Sequence, residues 1–186
     1  MSKIAVVYWS GTGNTEAMAR AVADGAASSG ADAAVFTASE FSDAAGYDAI
    51  AFGCPAMGAE QLEEDEFEPM FSACKSALKG KKIALFGSYG WGDGEWMRNW
   101  EGDCRAAGAE LACDSVICAG EPDAEALTAC EGLGKRWPER KREYMAKRPA
   151  EVLRGAVHCH ARRVKTHSLS RGGRAWERNW SITPRC

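Results

Sequence analysis

The feature that most constrains this chain is the alternation of short apolar runs with stretches of helical period through its first 134 residues. Lys3–Tyr8, Ala31–Thr37, Asp48–Cys54, Lys82–Gly87 and Glu110–Cys118 are brief, apolar or β-branched, and bounded by small or polar residues, as buried strands are. Between them the spacing lengthens. From Glu16, residues Met18, Val22 and Ala26 recur on one face until Gly30. Glu63–Leu78 puts Phe67, Met70, Phe71, Cys74 and Leu78 on one side and acidic residues on the other. Gly94–Ala107 carries Trp96 and Trp100 four residues apart, the spacing of a stripe that faces a core. Asp123 is placed to cap a last helix from Ala124, with Leu127, Cys130 and Leu133 inward. Strands alternating with helices imply an α/β fold, a parallel sheet covered on both faces. Periodicity does not order the strands.

Sheets of this kind bind ligands beyond the carboxyl ends of their strands. The loops after the first, third and fourth strands are therefore the candidates. The first is Ser10-Gly11-Thr12-Gly13-Asn14-Thr15: its glycines allow a tight turn, and hydroxyls, an amide and backbone N–H groups converge at a helix N-terminus, as a phosphate requires. It holds no lysine or arginine, and neither GxxxxGK[ST] nor GxGxxG occurs, which speaks against a P-loop NTPase and a nicotinamide site. An uncharged cradle suits one terminal phosphomonoester; a plain turn capping a helix would have the same composition. The loop after the fourth strand, Ser88-Tyr89-Gly90-Trp91-Gly92-Asp93-Gly94, sets a tryptophan among glycines, placed to lie against a planar ring or to cover the sheet end. In the loop after the third strand, Met57 could cover the other face of such a ring, Gly58 could reorient its peptide, and Glu60 could accept from a ring N–H.

Three segments, Tyr8-Trp9-Ser10-Gly11-Thr12-Gly13-Asn14-Thr15-Glu16, Gly53-Cys54-Pro55-Ala56-Met57-Gly58 and Phe86-Gly87-Ser88-Tyr89-Gly90-Trp91-Gly92, resemble the three FMN loops of short-chain flavodoxins. The resemblance runs in order from the start to about Gly134; the long-chain insertion in the last strand has no counterpart. It implies a flavodoxin-like doubly wound three-layer sandwich with a five-stranded parallel sheet in the order 2-1-3-4-5. By the same resemblance, Ser10, Thr12, Gly13, Asn14 and Thr15, with Gly11, would hold the FMN phosphate. Trp91 would stack on the isoalloxazine and Met57 would cover its opposite face. Glu60 would bind N3–H, and the peptide after Gly58 would turn its carbonyl toward N5–H upon one-electron reduction. Pro55, Ala56, Ser88, Tyr89, Gly90 and Gly92 would complete the cofactor loops. Ala59 departs from the family, where that position is often polar. The implied function is that of a low-potential one-electron carrier, not an enzyme, and no metal is implied. The alternatives are an FMN-dependent reductase, such as a quinone reductase, for which residues 1–134 offer no added loop, and a binding protein acting through its tail.

Charge divides the chain. Residues 1–134 hold 22 Asp/Glu and 8 Lys/Arg, net −14, whereas residues 135–186 hold 4 Glu and 15 Lys/Arg, net +11. The expected organisation is a flavodoxin-like domain over 1–134 and an atypical basic tail over 135–186, disordered or loosely docked. Lys135-Arg136-Trp137-Pro138 is what Lys-Ala-Leu-Ala, encoded AAG GCG CTG GCC, becomes when one G is lost, so the tail reads as a frameshift product; resequencing the gene tests this. A basic arm for nucleic acid, for anionic lipid or for the acidic domain is the rival reading, with nucleic acid disfavoured, and His158-Cys159-His160 lacks a usual zinc spacing. Six carboxylates in Glu60–Glu68 suit a solvated helix start or a docking face for basic redox partners. No apolar run is long enough for a membrane, the start lacks a signal peptide, and the eight cysteines form no CxxC pair, so a cytoplasmic monomer with free thiols is expected.

Overall fold

The computed structural model describes residues 1–137. Its strands are β1 (Lys3–Tyr8), β2 (Asp32–Thr37), β3 (Ala49–Gly53), β4 (Lys82–Tyr89), β5 (Glu110–Leu111) and β6 (Val116–Ala119). Its helices are α1 (Asn14–Ser28), α2 (Phe67–Cys74), α3 (Glu95–Ala106) and α4 (Ala124–Lys135). All strand pairs are parallel, in the order β2-β1-β3-β4-β5, and β6 also pairs with β4. This is the 2-1-3-4-5 sheet expected from the resemblance, with one difference. The single fifth strand expected over Glu110–Cys118 is two pieces on the same edge: Glu110 and Leu111 pair with Lys82 and Ile83, and Val116–Ala119 pair with Phe86–Tyr89. Between them Ser115 donates its hydroxyl to Glu101 of α3 (2.6 Å).

The two-residue period of β1 explains the layers. Ile4 and Val6 face α1 and α4, while Ala5 and Val7 face the aromatic layer of α2 and α3. On the first side, Met18, Val22 and Ala26 of α1 are fully buried, as their spacing predicts, with Cys130 and Leu133 of α4. Helices α1 and α4 approach very closely: a Cβ on Gly134 would lie 2.0 Å from the Val22 carbonyl oxygen, and one on Gly25 2.1 Å from that of Glu131. On the second side Trp100 meets Phe67 and Phe71 edge to face, with Phe67–Trp100 centroids 5.4 Å apart, while the two phenyl rings lie parallel. Trp96 and Trp100 are core residues, each 2 % exposed.

The helix expected over Glu63–Leu78 is shorter. It begins at Phe67 and closes with a 3₁₀ turn at Lys75–Ala77. Glu63 supplies the reason. Its carboxylate accepts the backbone N–H groups of Asp65 (3.0 Å), Glu66 (2.9 Å) and Phe67 (2.8 Å), and so caps the helix instead of joining it. After α4, Trp137 folds back into the α1–α4 core. The expectations for the basic tail and the His158-Cys159-His160 cluster concern residues outside those described, apart from Lys135–Trp137.

Candidate functional site

Three loops leave the carboxyl ends of β1, β3 and β4, and the sheet brings them together. In the first, Trp9 N–H donates to the Gly53 carbonyl (3.0 Å), tying the loop to β3. The Gly13 N–H donates to Ser10 Oγ (3.0 Å), and Gly13 takes a left-handed φ of 89° that turns the chain into α1 at Asn14. The first-turn N–H groups of α1 thus face the loop with no intrahelical partner. Thr15 is buried beneath, its hydroxyl 3.4 Å from that of Ser88 at the end of β4. Gly11 lies against the Trp9 indole, which a Cβ would meet at 3.0 Å.

The second loop is anchored at both ends. Cys54 N–H bonds Phe86 (3.1 Å) and Ala56 N–H bonds Ser88 (3.0 Å), both at carbonyls of β4. Beyond them Met57 and Gln61 exchange two backbone bonds (2.8 and 2.9 Å), closing a turn in which Gly58 (φ 49°) and Glu60 (φ 53°) are both left-handed. Glu60 is the single non-glycine residue with positive φ among those described. Cys54 is fully buried; burial pushes its thiol up to about 12, against the lowering effect of the Glu63 N–H that it accepts. It is therefore a neutral thiol and not a nucleophile.

The third loop continues from β4. Tyr89 leans on the Trp96 ring at 5.4 Å. Trp91, at the loop tip, is 63 % exposed, and this contrast with Trp96 and Trp100 is what their spacing predicts. Glu60 reaches over from the second loop and accepts N–H groups from Asp93 (2.9 Å), Gly94 (3.3 Å) and Glu95 (2.9 Å) at the start of α3.

The loops enclose a cleft of about 300 Å³. Gly11, Thr12 and Asn14 line it from the first loop, Pro55, Ala56 and Met57 from the second, and Ser88, Tyr89 and Gly90 from the third. Ser10, Gly13, Thr15, Gly58, Glu60, Trp91 and Gly92 belong to the same loops but lie outside that lining. Two lining residues were not expected, Trp9 and Gly120. Gly120 follows β6 and donates to the Tyr89 carbonyl (2.8 Å). The rule that ligands sit at carboxyl strand ends would have included it, had the last strand been read to its true end. The residue set fits FMN: neutral donors at a helix N-terminus for a phosphate, and Met57, Tyr89 and Trp91 nearby for a planar ring.

The acidic run after the cleft is not uniform. Glu63 is 6 % exposed and serves α2, whereas Glu64, Asp65, Glu66 and Glu68 are exposed. A second groove, of about 220 Å³, runs between this segment and α3, lined by Glu60, Glu64, Glu68, Asn99, Trp100 and Asp103 among others.

Comparison with known proteins agrees with this geometry. The flavodoxin family model matches residues 6–134. A flavodoxin of Clostridium beijerinckii is 45 % identical over 133 residues, covering 70 % of this chain and 96 % of that protein. One from Megasphaera elsdenii is 46 % identical over 116 residues, covering 61 % and 85 %. Among solved structures, two-electron reduced Megasphaera elsdenii flavodoxin superposes with a TM-score of 0.66 at 43 % identity, covering 72 % of this chain and 96 % of that one.

Proposed function

The chain belongs to the flavodoxin family, and from that premise we propose that the three-loop cleft is where its own residues hold FMN. The chain is a low-potential one-electron carrier that uses non-covalently bound FMN, and not an enzyme. Bound FMN supplies the isoalloxazine ring, which takes up and releases electrons singly. The observation that carries the assignment of the site is the meeting, in one cleft, of a cation-free donor loop at the α1 N-terminus with Met57 and Tyr89.

The donors of Ser10, Thr12, Asn14 and Thr15, with the Gly11 N–H, would orient the phosphate, while the Gly13 N–H holds Ser10 in place. Ser88 keeps Thr15 in place through their 3.4 Å hydroxyl contact. Met57 and Trp91 would cover the ring and shield it from water, with Pro55, Ala56, Tyr89, Gly90 and Gly92 shaping the slot. Glu60 offers its carboxylate to N3–H. The Gly58 peptide lies in the turn closed by Met57 and Gln61, where nothing lies within 4 Å of a would-be Cβ. It can reorient at low cost and present its carbonyl to a ring N–H. Residues 1–134 carry a net charge of −14, and further negative charge in the cleft is disfavoured, which lowers the potential.

Flavodoxins pass electrons to partner proteins. The exposed Glu64, Asp65, Glu66 and Glu68, with the groove toward Asp103, are the docking face for basic partners. No helix among the described residues is long and apolar enough to cross a membrane.

The site is tested by titrating FMN-free protein with FMN and with riboflavin, following flavin fluorescence. The expected result is 1:1 quenching by FMN at an affinity at least about ten-fold above that of riboflavin, the scale of one or two hydrogen bonds to a charged group. Equal affinity for the two flavins would remove the first loop from the site.

A further inference from the structure

The Glu60 carboxylate has three backbone partners in the third loop. Its Oε1 accepts from Asp93 (2.9 Å) and Gly94 (3.3 Å) and its Oε2 from Glu95 (2.9 Å), so both oxygens of a second-loop side chain are held by the backbone that follows Trp91. The third loop is shaped to receive it. Gly92 has φ +94°, and a Cβ there would fall 1.7 Å from Glu60 Oε1. The peptide between Asp93 and Gly94 is gripped at both ends: its N–H donates to Glu60, and its carbonyl accepts from Arg98 Nη1 (2.9 Å) while Arg98 Nη2 bonds Asp93 Oδ1 (2.7 Å). Arg98 also answers the crowding of acid. One carboxylate oxygen each of Glu60, Asp93 and Glu95 lies within 4.8 Å of the others, and the guanidinium of Arg98 beside them is held above its usual value by the bond to Asp93. Glu60 itself sits at φ +53°, a conformation that side chains other than glycine rarely adopt and that must be held by its surroundings.

We infer that Glu60 is a positioning residue: its carboxylate, backed by Arg98, ties the second loop to the third and holds the two sides of the cleft in register. The inference rests on the cleft being the FMN site, but the tie is a property of the chain alone. It joins the turn that carries Met57 and Gly58 to the loop that carries Trp91, so the two ring-covering side chains do not move independently. Direct contact of Glu60 with the ring would use the one acceptor site, on Oε2, that the three backbone donors leave over, because a carboxylate has about four.

The test is amide hydrogen exchange, read by NMR on the full-length, FMN-free chain. Glu60→Ala is expected to raise exchange at Asp93, Gly94 and Glu95 at least ten-fold, with amides of β1 and β3 unchanged. Glu60→Gln keeps one acceptor oxygen and is expected to protect either Glu95 or the Asp93–Gly94 pair, not both. Gly92→Ala keeps the carboxylate but displaces it, and is expected to match Glu60→Ala. On adding FMN, Arg98→Gln is expected to lower affinity several-fold although Arg98 lies outside the cleft lining, a change that a purely local structural role would not produce. Unchanged exchange at the three amides in Glu60→Ala and Glu60→Gln would overturn the inference and leave Glu60 with ring contact alone. Because exchange is measured without FMN, a failure of the tie and a failure of the cleft as FMN site are read separately.

Discussion

Replacing Glu63 removes the one buried carboxylate of the acidic run, and its surroundings set the size of the effect. Three backbone donors converge on it, from Asp65, Glu66 and Phe67. In Glu63→Ala the N–H groups of Asp65 and Glu66 are exposed and can turn to water, while that of Phe67 is buried and cannot. The loss is therefore close to one charge-assisted hydrogen bond plus part of a helix cap, about 2–3 kcal/mol. For a domain of this size that is a fall in Tm of roughly 6–12 °C. The assay is thermal and urea unfolding of FMN-free protein by circular dichroism, which avoids stabilisation by ligand. pH adds a second reading. Burial alone would raise the Glu63 carboxyl, but its three N–H donors outweigh burial and hold it below its ordinary value. A depressed folded value means that the stabilisation is fully present above the unfolded value of about 4.3 and is lost as pH falls through the folded one. Wild type and Glu63→Gln should therefore differ most at neutral pH and converge in acid. A Glu63→Ala protein within about 0.5 kcal/mol of wild type at pH 7 would refute the capping role. So would a gap that widens on acidification.

Gly134→Ala places a methyl group against the α1 backbone and is expected to cost about 3 kcal/mol or prevent folding, whereas Gly132→Ala, with nothing within 4 Å, should be neutral or stabilising by up to about 1 kcal/mol; urea unfolding of the pair checks both. Trp96→Ala should destabilise the FMN-free protein by about 3–5 kcal/mol, while Trp91→Ala should leave its stability within about 0.5 kcal/mol and weaken FMN binding, as unfolding and flavin titrations would report. Reversing charge with Glu64→Lys and Glu68→Lys should slow electron transfer to a cationic acceptor by about ten-fold at low salt, with the difference fading toward 1 M salt in stopped-flow measurements.

What the sequence made legible follows from how local each determinant is. Met18, Val22 and Ala26 are buried together because helical spacing alone puts them on one face. Trp91 separates from Trp96 and Trp100 because glycines on both sides of it forbid a regular element. The three loops could be matched because their composition is unusual at each one. The break in the last strand was only half legible: Asp114-Ser115 favours a turn without requiring one inside an apolar run, and the bond from Ser115 to Glu101 exists only once α3 packs there. The carboxylates of the acidic run look alike in one dimension. Glu63 caps α2 and Glu60 holds the start of α3, while their neighbours face solvent, because each depends on which N–H groups folding brings within reach. Gly134 gave no hint of its role, since a tight helix crossing is a property of two helices and not of one.

The central claim, a one-electron carrier built on the three-loop cleft, is tested most directly by a redox titration of the purified FMN-loaded protein under argon, followed by visible absorbance. The account predicts two well-separated one-electron steps, a long-wavelength band that rises and then vanishes between them, and a low second potential. A single two-electron step, or a protein that stays colourless after incubation with FMN, would contradict it.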